Sequence, residues 1–491
     1  MVRENIKKHD QLSFEAKFEF MGRAKALKSN NFNVSIFMFL PYGLDINKHN
    51  FTREDFYTSL KTSIRLTTPF YRLSQLIDGE NSPFVQLQKS IESILATPNS
   101  TTSLEYEKQI KRYCSIFRVA LRYDVNIILR SDDIEEKGIL IEKYKRNVIN
   151  IRTHFIDIKQ RIINSSSDNS ILRIYQYADE YQSLVAEKHS ANIIKSLSKQ
   201  KVNYSVLIKS VEEIITGEMD YRLKMAYPSI AIKNQPYFHL LHRMARLKKF
   251  VESNLYLNTD TKKEGVVVEQ LLFSIAAGIA MIFATGVAFA SQLIYGNLSL
   301  PFFIALVIGY MFKDRIKELI RIFFSKKHQK VFYDFKTKIY SQNKKKIGSL
   351  KESFNFVRHS HLPMEILNTR NNIRATEITE ESLGEKIIQY RTKVKIYNKV
   401  KGANDFSGIT QILRFNLSSF TQKMDDPEKE ILIRTKNSFK RVFSDRVYHV
   451  NIILTYTDNN KQIIKPYKIY TNRKVIRRIE KIKNYPIISS A

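Results

Sequence analysis

The chain reads QLLFSIAAGIAMIFATGVAFASQLIY over residues 270–295 and LSLPFFIALVIGYMF over residues 298–312, without an Asp, Glu, Lys, Arg or His anywhere between. A bilayer core of roughly 30 Å needs about 20 apolar residues as helix. The first run is long enough to span with some tilt, whereas the second supplies only about 22 Å. We therefore predict a two-helix transmembrane hairpin over 265–312, in which Lys313 and Arg315 snorkel to the headgroups. A buried hairpin in a soluble core is the alternative.

Small residues recur every four positions in this stretch. They are Ala276, Ala280, Ala284 and Ala288 in the first run, and Ala305 and Gly309 in the second. Small residues let helix backbones approach closely in lipid. We predict that the two spans pack on each other through these residues, and self-association into a homo-oligomer is the alternative. Neither run contains an ionisable side chain, so a single subunit is a poor candidate for a transporter.

Basic residues flank the uncharged stretch on both sides. Those before it are Arg243, Arg246, Lys248, Lys249, Lys262 and Lys263, and those after it include Lys313, Arg315, Lys317, Arg321, Lys326 and Lys327. Since Lys and Arg accumulate in cytoplasmic segments, we predict a multi-pass protein of the cell inner membrane with both termini cytoplasmic.

The segment 313–330 continues with helical periodicity. Its apolar positions are Ile316, Leu319, Ile320 and Phe323, at the i, i+3, i+4, i+7 spacing of an amphipathic helix. We predict an interfacial helix whose cations Lys313, Arg315, Lys317, Arg321, Lys326 and Lys327 bind the membrane surface, with anionic lipids of the bilayer as partners.

Composition also indicates an acidic partner. The 491 residues carry a formal net charge of +32 and the pI is about 9.8. From Lys313 onward lie about 39 of the 80 Lys and Arg but only about 17 of the 48 Asp and Glu. Such asymmetry favours a membrane surface or nucleic acid as the partner. The single cysteine, Cys114, excludes an intrachain disulfide and a cysteine zinc site, and we expect it to be a core thiol.

Residues 1–102 are predicted to form an N-terminal α+β region. Phe14, Ala16, Phe18 and Phe20 alternate with charged residues and are followed by the apolar run FNVSIFMFL, which indicates a β-hairpin. Helices should begin at Thr52, with Asp55 three residues later, and at Ser82-Pro83.

Residues 103–264 are predicted to be helical. The apolar seam Ile141, Tyr144, Val148, Ile151, Phe155, Ile158 and Ile162 follows a coiled-coil rhythm, and a similar rhythm resumes after a polar turn at 164–169. Two antiparallel helices fit this pattern, either as part of a helical bundle or as an exposed coiled-coil arm for partners.

Residues 331–491 are predicted to form a basic C-terminal α+β domain with an antiparallel sheet. Alternation over 448–456 and 464–470 indicates a hairpin, and Val475, Ile476 and Ile479 indicate a closing helix. The whole chain is thus predicted as an α+β membrane protein, with a transmembrane hairpin between two cytoplasmic parts.

Motifs of common enzyme classes are missing from the sequence. It has no GxxxxGK[ST], GxGxxG, GxSxG or HExxH, so we predict no catalytic residue and no cofactor. His359 and His361, two residues apart on a supposed strand, are weak metal candidates without a third ligand.

Aromatic and basic residues interleave near 390–397, and Arg391, Lys393 and Lys395 could track phosphates. The tyrosines share the apolar face by alternation, so nucleic acid is an alternative that we do not favour.

We therefore expect a non-enzymatic integral membrane protein that anchors cytoplasmic binding or scaffold domains and contacts anionic lipid or another acidic partner. One alternative is a membrane effector whose cytoplasmic domains sense nucleic acid and drive assembly of the hairpins. A second is a membrane-anchored, metal-dependent enzyme that uses His359 and His361. The Lys-, Ile- and Asn-rich composition favours a bacterial source.

Overall fold

The protein has an α+β fold. The structure is a computed structural model that describes residues 2–22, 29–165, 169–200, 204–231, 237–296, 299–331, 333–342, 344–374, 384–397, 408–435, 438–458 and 461–482. The chain divides into two compact units. We call them the sheet unit, Met1–Ile64, Leu257–Ala403 and Ile409–Ala491, and the helical unit, Arg65–Tyr256 with Asn404–Gly408.

The strands of the described residues lie toward both ends of the chain, on either side of the helices between residues 83 and 252. They are β1 (Val2–Lys8), β2 (Ser13–Met21), β3 (Ser29–Leu40), β4 (Leu60–Leu66), β5 (Asn258–Lys263), β6 (Phe335–Tyr340), β7 (Lys346–Val357), β8 (Lys386–Tyr397), β9 (Gly408–Asn416), β10 (Glu428–Arg434), β11 (Phe439–Asp445), β12 (Tyr448–Asp458), β13 (Lys461–Thr471) and β14 (Ile476–Lys481).

The longest helices lie in the middle of the chain. The helices are α1 (Arg53–Ser59), α2 (Pro83–Ala96), α3 (Ser100–Arg130), α4 (Ile134–Ser165), α5 (Asn169–Leu197), α6 (Ser205–Lys224), α7 (Phe238–Glu252), α8 (Val266–Tyr295), α9 (Leu300–Val331), α10 (Met364–Arg374) and α11 (Ser418–Thr421).

Eight strands form one sheet in the order β14-β13-β12-β3-β8-β7-β6-β5, and their described pairings are antiparallel. The order β1-β2-β9-β4 makes a second sheet, and β10 and β11 make a third sheet of two strands among the described residues. The predicted hairpin of β12 and β13 is confirmed. The predicted N-terminal hairpin of β2 with β3 is wrong, because the two strands lie in different sheets: β2 pairs with β1, whereas β3 pairs with β12 and β8. Both ends of the chain therefore build the eight-stranded sheet.

Aromatic side chains fill the core of the sheet unit. Phe56 of α1 is 1% exposed, and its ring centroid lies 4.4 Å from that of Phe354 on β7. The same ring is 5.7 Å from Tyr390 on β8 and 5.4 Å from Phe415 on β9. One helix therefore contacts strands of both sheets and ties them into a single core. The predicted start of α1 is confirmed, because the Thr52 hydroxyl accepts a hydrogen bond from the Asp55 amide at 3.3 Å.

The helical unit buries the predicted seam of α4. All seven seam residues, from Ile141 to Ile162, are at most 2% exposed, and they belong to a core shared with α3, α5, α6 and α7. The bundle interpretation is therefore confirmed and the exposed coiled-coil arm is wrong. Cys114 is fully buried in this core, and burial raises the pKa of its thiol to about 12. Residues 166–168 of the predicted polar turn lie outside the described residues.

The predicted closing helix is wrong. Ile476–Lys481 forms β14, which pairs with β13 and places Ile479 opposite Ile469. Three apolar residues are too few to separate a helical from an extended period. Ile476 is fully buried in the strand, so tertiary pairing decided the conformation.

The predicted two-helix transmembrane hairpin is wrong. Among the described residues only α8 is long and apolar enough to cross a membrane. The two helices do pack together: a Cβ on Gly309 would lie 3.2 Å from Val287, and the Arg321 guanidinium lies 4.5 Å from the ring of Phe273. This antiparallel pairing places the charged part of α9 beside the apolar first half of α8. A bilayer enclosing the whole pair would have to bury those charges at high cost.

The separate interfacial helix predicted over 313–330 is also not observed. α9 runs without interruption from Leu300 to Val331, so the second apolar run and the charged segment are one helix. The uncharged part of α9, residues 300–312, is about 20 Å long, which is shorter than a bilayer core. Residues 297 and 298 of the predicted external turn lie outside the described residues.

Candidate functional site

The α8–α9 pair ends in an exposed apolar region. We define the apolar tip as residues 283–295 of α8 and 300–312 of α9, which contain no charged side chain. Leu293, Leu300 and Phe303 are 87%, 73% and 63% exposed. At 1.5 Å per residue the tip is about 20 Å long. Such a surface is larger than the single exposed apolar side chains that are normal in soluble proteins.

The small residues predicted to pack are distributed along both helices. Ala276, Ala280 and Gly309 are buried. Ala284, Ala288 and Ala305 are half-buried. Gly309 is packed against Val287 of α8 so closely that an added methyl group would require a shift of a few tenths of an ångström. Self-association through these residues stays a prediction.

The cations predicted to bind a membrane surface begin where the apolar tip ends. Lys313, Lys317 and Arg321 are half-buried and Arg315 is exposed. The Lys313 ammonium lies 4.2 Å from the ring centroid of Tyr310, at the boundary of the tip. The side chains of Lys326 and Lys327 lie outside the described residues. Contact with anionic lipid stays a prediction.

Four lysines lie side by side across the eight-stranded sheet. Lys262 of β5 is opposite Lys336 of β6, Lys336 is opposite Lys351 of β7, and Lys351 is opposite Lys393 of β8. Residues directly opposite in antiparallel strands project from the same face with Cβ atoms about 5 Å apart. We call these four residues the lysine row.

Neighbouring positions add to the positive charge of this face. By two-residue alternation Lys338, Lys395 and Arg391 share it. The Lys351 ammonium forms an ion pair with Glu264, and that of Lys262 lies 3.8 Å from Asp260.

Lys336 and Lys393 form no ion pair with a carboxylate of the described residues. Like charges directly opposite in a sheet are destabilising. The row therefore carries repulsion that a bound anion would relieve.

Tyrosines accompany these cations. Tyr333 lies 5.7 Å from both Lys351 and Arg391, and Tyr397 lies 5.6 Å from Lys395. Sheets that bind single-stranded nucleic acid combine cations with aromatic rings in this manner. Tyr390, in contrast, is 2% exposed, which confirms that it belongs to the apolar face of its strand.

The opposite face of the sheet holds buried carboxylates. Asp334 accepts hydrogen bonds from the Tyr57 hydroxyl at 2.9 Å and the Phe354 amide at 2.7 Å, and its other oxygen lies 3.0 Å from Arg53. Desolvation by burial and the Asp334 charge raise the pKa of Tyr57. Asp334 and Tyr57 line a cleft of about 650 Å³ at the start of α8. The hydrogen bonds of Asp334 are all internal, so this network orders the cleft wall.

Glu352 lies beside this network. Its carboxylate accepts hydrogen bonds from Thr62 and from the buried Tyr390. Burial outweighs these bonds and raises the pKa of Glu352. The group is therefore a buried acid held by internal partners.

The two histidine candidates lie on a 3-10 turn, His359–His361, and both are exposed. The prediction that they project from one face of a strand is wrong. No group of three His, Cys, Asp or Glu side chains within the described ranges could hold a metal ion.

The helical unit contains a buried ion network that sequence reasoning missed. Arg152, 3% exposed, donates to Asp179 at 2.8 Å and to Glu218 at 2.9 Å. The hydroxyls of Tyr221 and Tyr227 donate to the second oxygen of Asp179. Polar residues normally indicate an exposed helix face, so the sequence offered no signal of this network.

The sequence analysis also does not predict the lysine row as a unit, although it places Lys393 and Lys395 on one basic face. Alternating lysines within one strand reveal a basic face, but the register between distant strands is not visible in the sequence.

A comparison of the chain with protein-family models, with curated proteins and with solved structures finds no match.

Proposed function

We propose that this protein is a membrane-attached binding or scaffold protein rather than an enzyme, and that its apolar tip enters one face of a bilayer. The observation that carries the proposal is the exposure of α8. Of the 30 residues of α8, three are buried, namely Ala276, Ala280 and Ser291. A core helix of a soluble protein would be mostly buried, so the exposure of α8 among the described residues supports a lipid partner for this surface.

The dimensions support partial insertion. The tip is about 20 Å long, against roughly 30 Å for a hydrocarbon core. Both helices enter and leave on the same side, which keeps the charged part of α9 in the aqueous or headgroup region. Lys313 and Arg315 follow the tip directly, where cations interact with anionic lipid at about 1 kcal/mol each.

Vesicle flotation of the full chain tests the proposal. The variant Leu293→Lys/Phe303→Lys places two charges on the tip and should abolish flotation with lipid vesicles. Leu104→Lys/Val206→Lys is the matched control, because those residues are 68% and 77% exposed in the helical unit, and it should float like the unaltered protein. Equal flotation of both variants would contradict the proposal.

The lipid class is tested with vesicles that contain or lack phosphatidylserine. Lys313→Gln/Arg315→Gln removes two cations worth about 1 kcal/mol each, so binding to anionic vesicles should weaken roughly 30-fold. Binding to neutral vesicles should change little. A stable dimer in lipid-free buffer that protects the tip would instead identify a second copy as its partner.

A further inference from the structure

We propose that the lysine row binds the phosphodiester backbone of single-stranded nucleic acid. Neighbouring strands lie about 4.8 Å apart, so the row from Lys262 to Lys393 spans about 14 Å across the sheet. This line of cations runs perpendicular to the strands on one face. A single strand laid along it would bring its phosphates within reach of the flexible lysine side chains.

Acidic side chains of the described residues neutralise only part of the positive charge of the lysine row. Glu264 and Asp260 neutralise part of Lys351 and Lys262. Lys336, between those two lysines, lies opposite a cation on each side. A purely structural sheet face would gain stability by replacing Lys336 with a neutral residue. Retention of the charge is explained if the face binds an anion.

Aromatic rings favour nucleic acid as that anion. Tyr333 and Tyr397 lie among the cations of this face and are half-buried, so each keeps part of its ring accessible. Base stacking on an aromatic ring contributes about 1–3 kcal/mol per base and tolerates any sequence. The predicted preference is therefore for single strands with exposed bases, independent of their sequence.

A lipid surface fits the row less well, and this step rests on the proposed insertion of the apolar tip. α8 begins three residues after β5 ends, so the row lies near the base of the helix pair. Residues 266–282 separate that base from the tip by about 25 Å. Electrostatic attraction fades over about 8 Å at physiological salt, so headgroups around the tip would be too distant.

Fluorescence anisotropy of a labelled oligothymidylate with the full chain in detergent tests the inference. Contact with four phosphates predicts a slope of about −2.8 for log affinity against log salt, since each single-strand contact contributes about −0.7. Lys336→Gln/Lys393→Gln should reduce the slope to about −1.4. The control Lys429→Gln/Lys440→Gln removes the same charge from exposed positions of β10 and β11 and should leave the slope unchanged.

Two further measurements separate binding from folding. Lys336→Arg/Lys393→Arg keeps the charge and should retain oligonucleotide binding. Lys336→Gln/Lys393→Gln should melt no lower than the unaltered protein, because it relieves repulsion. An unchanged salt slope for Lys336→Gln/Lys393→Gln would overturn the inference. So would a variant that binds the oligonucleotide normally and loses only its binding to phosphatidylserine vesicles. If Leu293→Lys/Phe303→Lys still floated with vesicles, the insertion of the tip would be refuted, but the oligonucleotide result would stand. The two proposals can therefore fail separately.

Discussion

Replacing Arg152 with methionine should strongly destabilise the helical unit. Arg152 is 3% exposed and forms ion pairs with Asp179 and Glu218, which are 0% and 8% exposed. Methionine fills a similar volume but leaves both carboxylates without their cation. Removal of one partner from a buried ion pair costs about 3–5 kcal/mol, because an uncompensated charge remains in a low-dielectric core.

The size of the unit converts this cost into a melting temperature. About 190 residues between Arg65 and Tyr256 unfold with about 2.1 cal/mol/K each, or about 0.4 kcal/mol/K in total. A loss of about 4 kcal/mol therefore lowers Tm by about 10 °C. Circular dichroism at the helix band follows this transition, because helices α2 to α7 belong to the helical unit.

Two variants make the result interpretable. Arg146→Met changes an exposed arginine on the same helix and should shift Tm by about 1 °C or less. The triple variant Arg152→Met/Asp179→Asn/Glu218→Gln removes the stranded charges together and should recover most of the loss. A decrease of less than about 2 °C for Arg152→Met would show that water or other groups satisfy the carboxylates, and would refute the reasoning.

Three further predictions concern the sheet unit. Burial raises the pKa of Glu352 above 4.5, so the native state binds more protons than the unfolded state just above pH 4.5, and stability falls as the pH rises through the raised pKa. Glu352→Gln should remove that fall and raise stability at pH 7 in urea titrations; an unaltered pH dependence would contradict this. Gly309→Leu should separate α8 from α9, seen as faster hydrogen exchange in both helices, and unchanged exchange would mean that the close contact is unimportant. Gly348→Ala should strongly destabilise the sheet, because its Cβ would lie 2.5 Å from the Lys395 carbonyl oxygen, whereas Gly217→Ala in α6 meets nothing within 4 Å and should stabilise by up to about 1 kcal/mol. Equal Tm shifts for the two alanine variants would argue against the steric explanation.

Local patterns were predictable from the sequence where neighbours along the chain supply the physical cause. The seam of α4 repeats over three heptads, so its burial follows from periodicity alone. The Ser82 hydroxyl accepts a hydrogen bond from the Val85 amide at 3.2 Å, as a cap three residues before its partner should. The hairpin of β12 and β13 likewise joins strands that are adjacent in sequence.

The sequence-based prediction was wrong for an apolar run whose packing partner cannot be read from the sequence. Residues 298–312 resembled a short second span, and the charges after them resembled a separate interfacial helix. In the structure α9 runs without interruption through both segments, and its pairing with α8 places Arg321 beside Phe273. Hydropathy reports the composition of a segment, whereas the position of its charges depends on the helix it packs against.

The sequence by itself determined the charge excess, the uncharged run from 270 to 312 and the period of each long element. The tertiary structure decided which of those charges meet. Lys262 and Lys393 are 131 positions apart in the sequence, and they align because β6 and β7 set the register between them. A shift of one residue in any of these pairings would turn alternate side chains to the other face. The lysine row therefore exists only as a property of strand register, which is fixed by the buried core on the opposite face and not by any local signal in the chain.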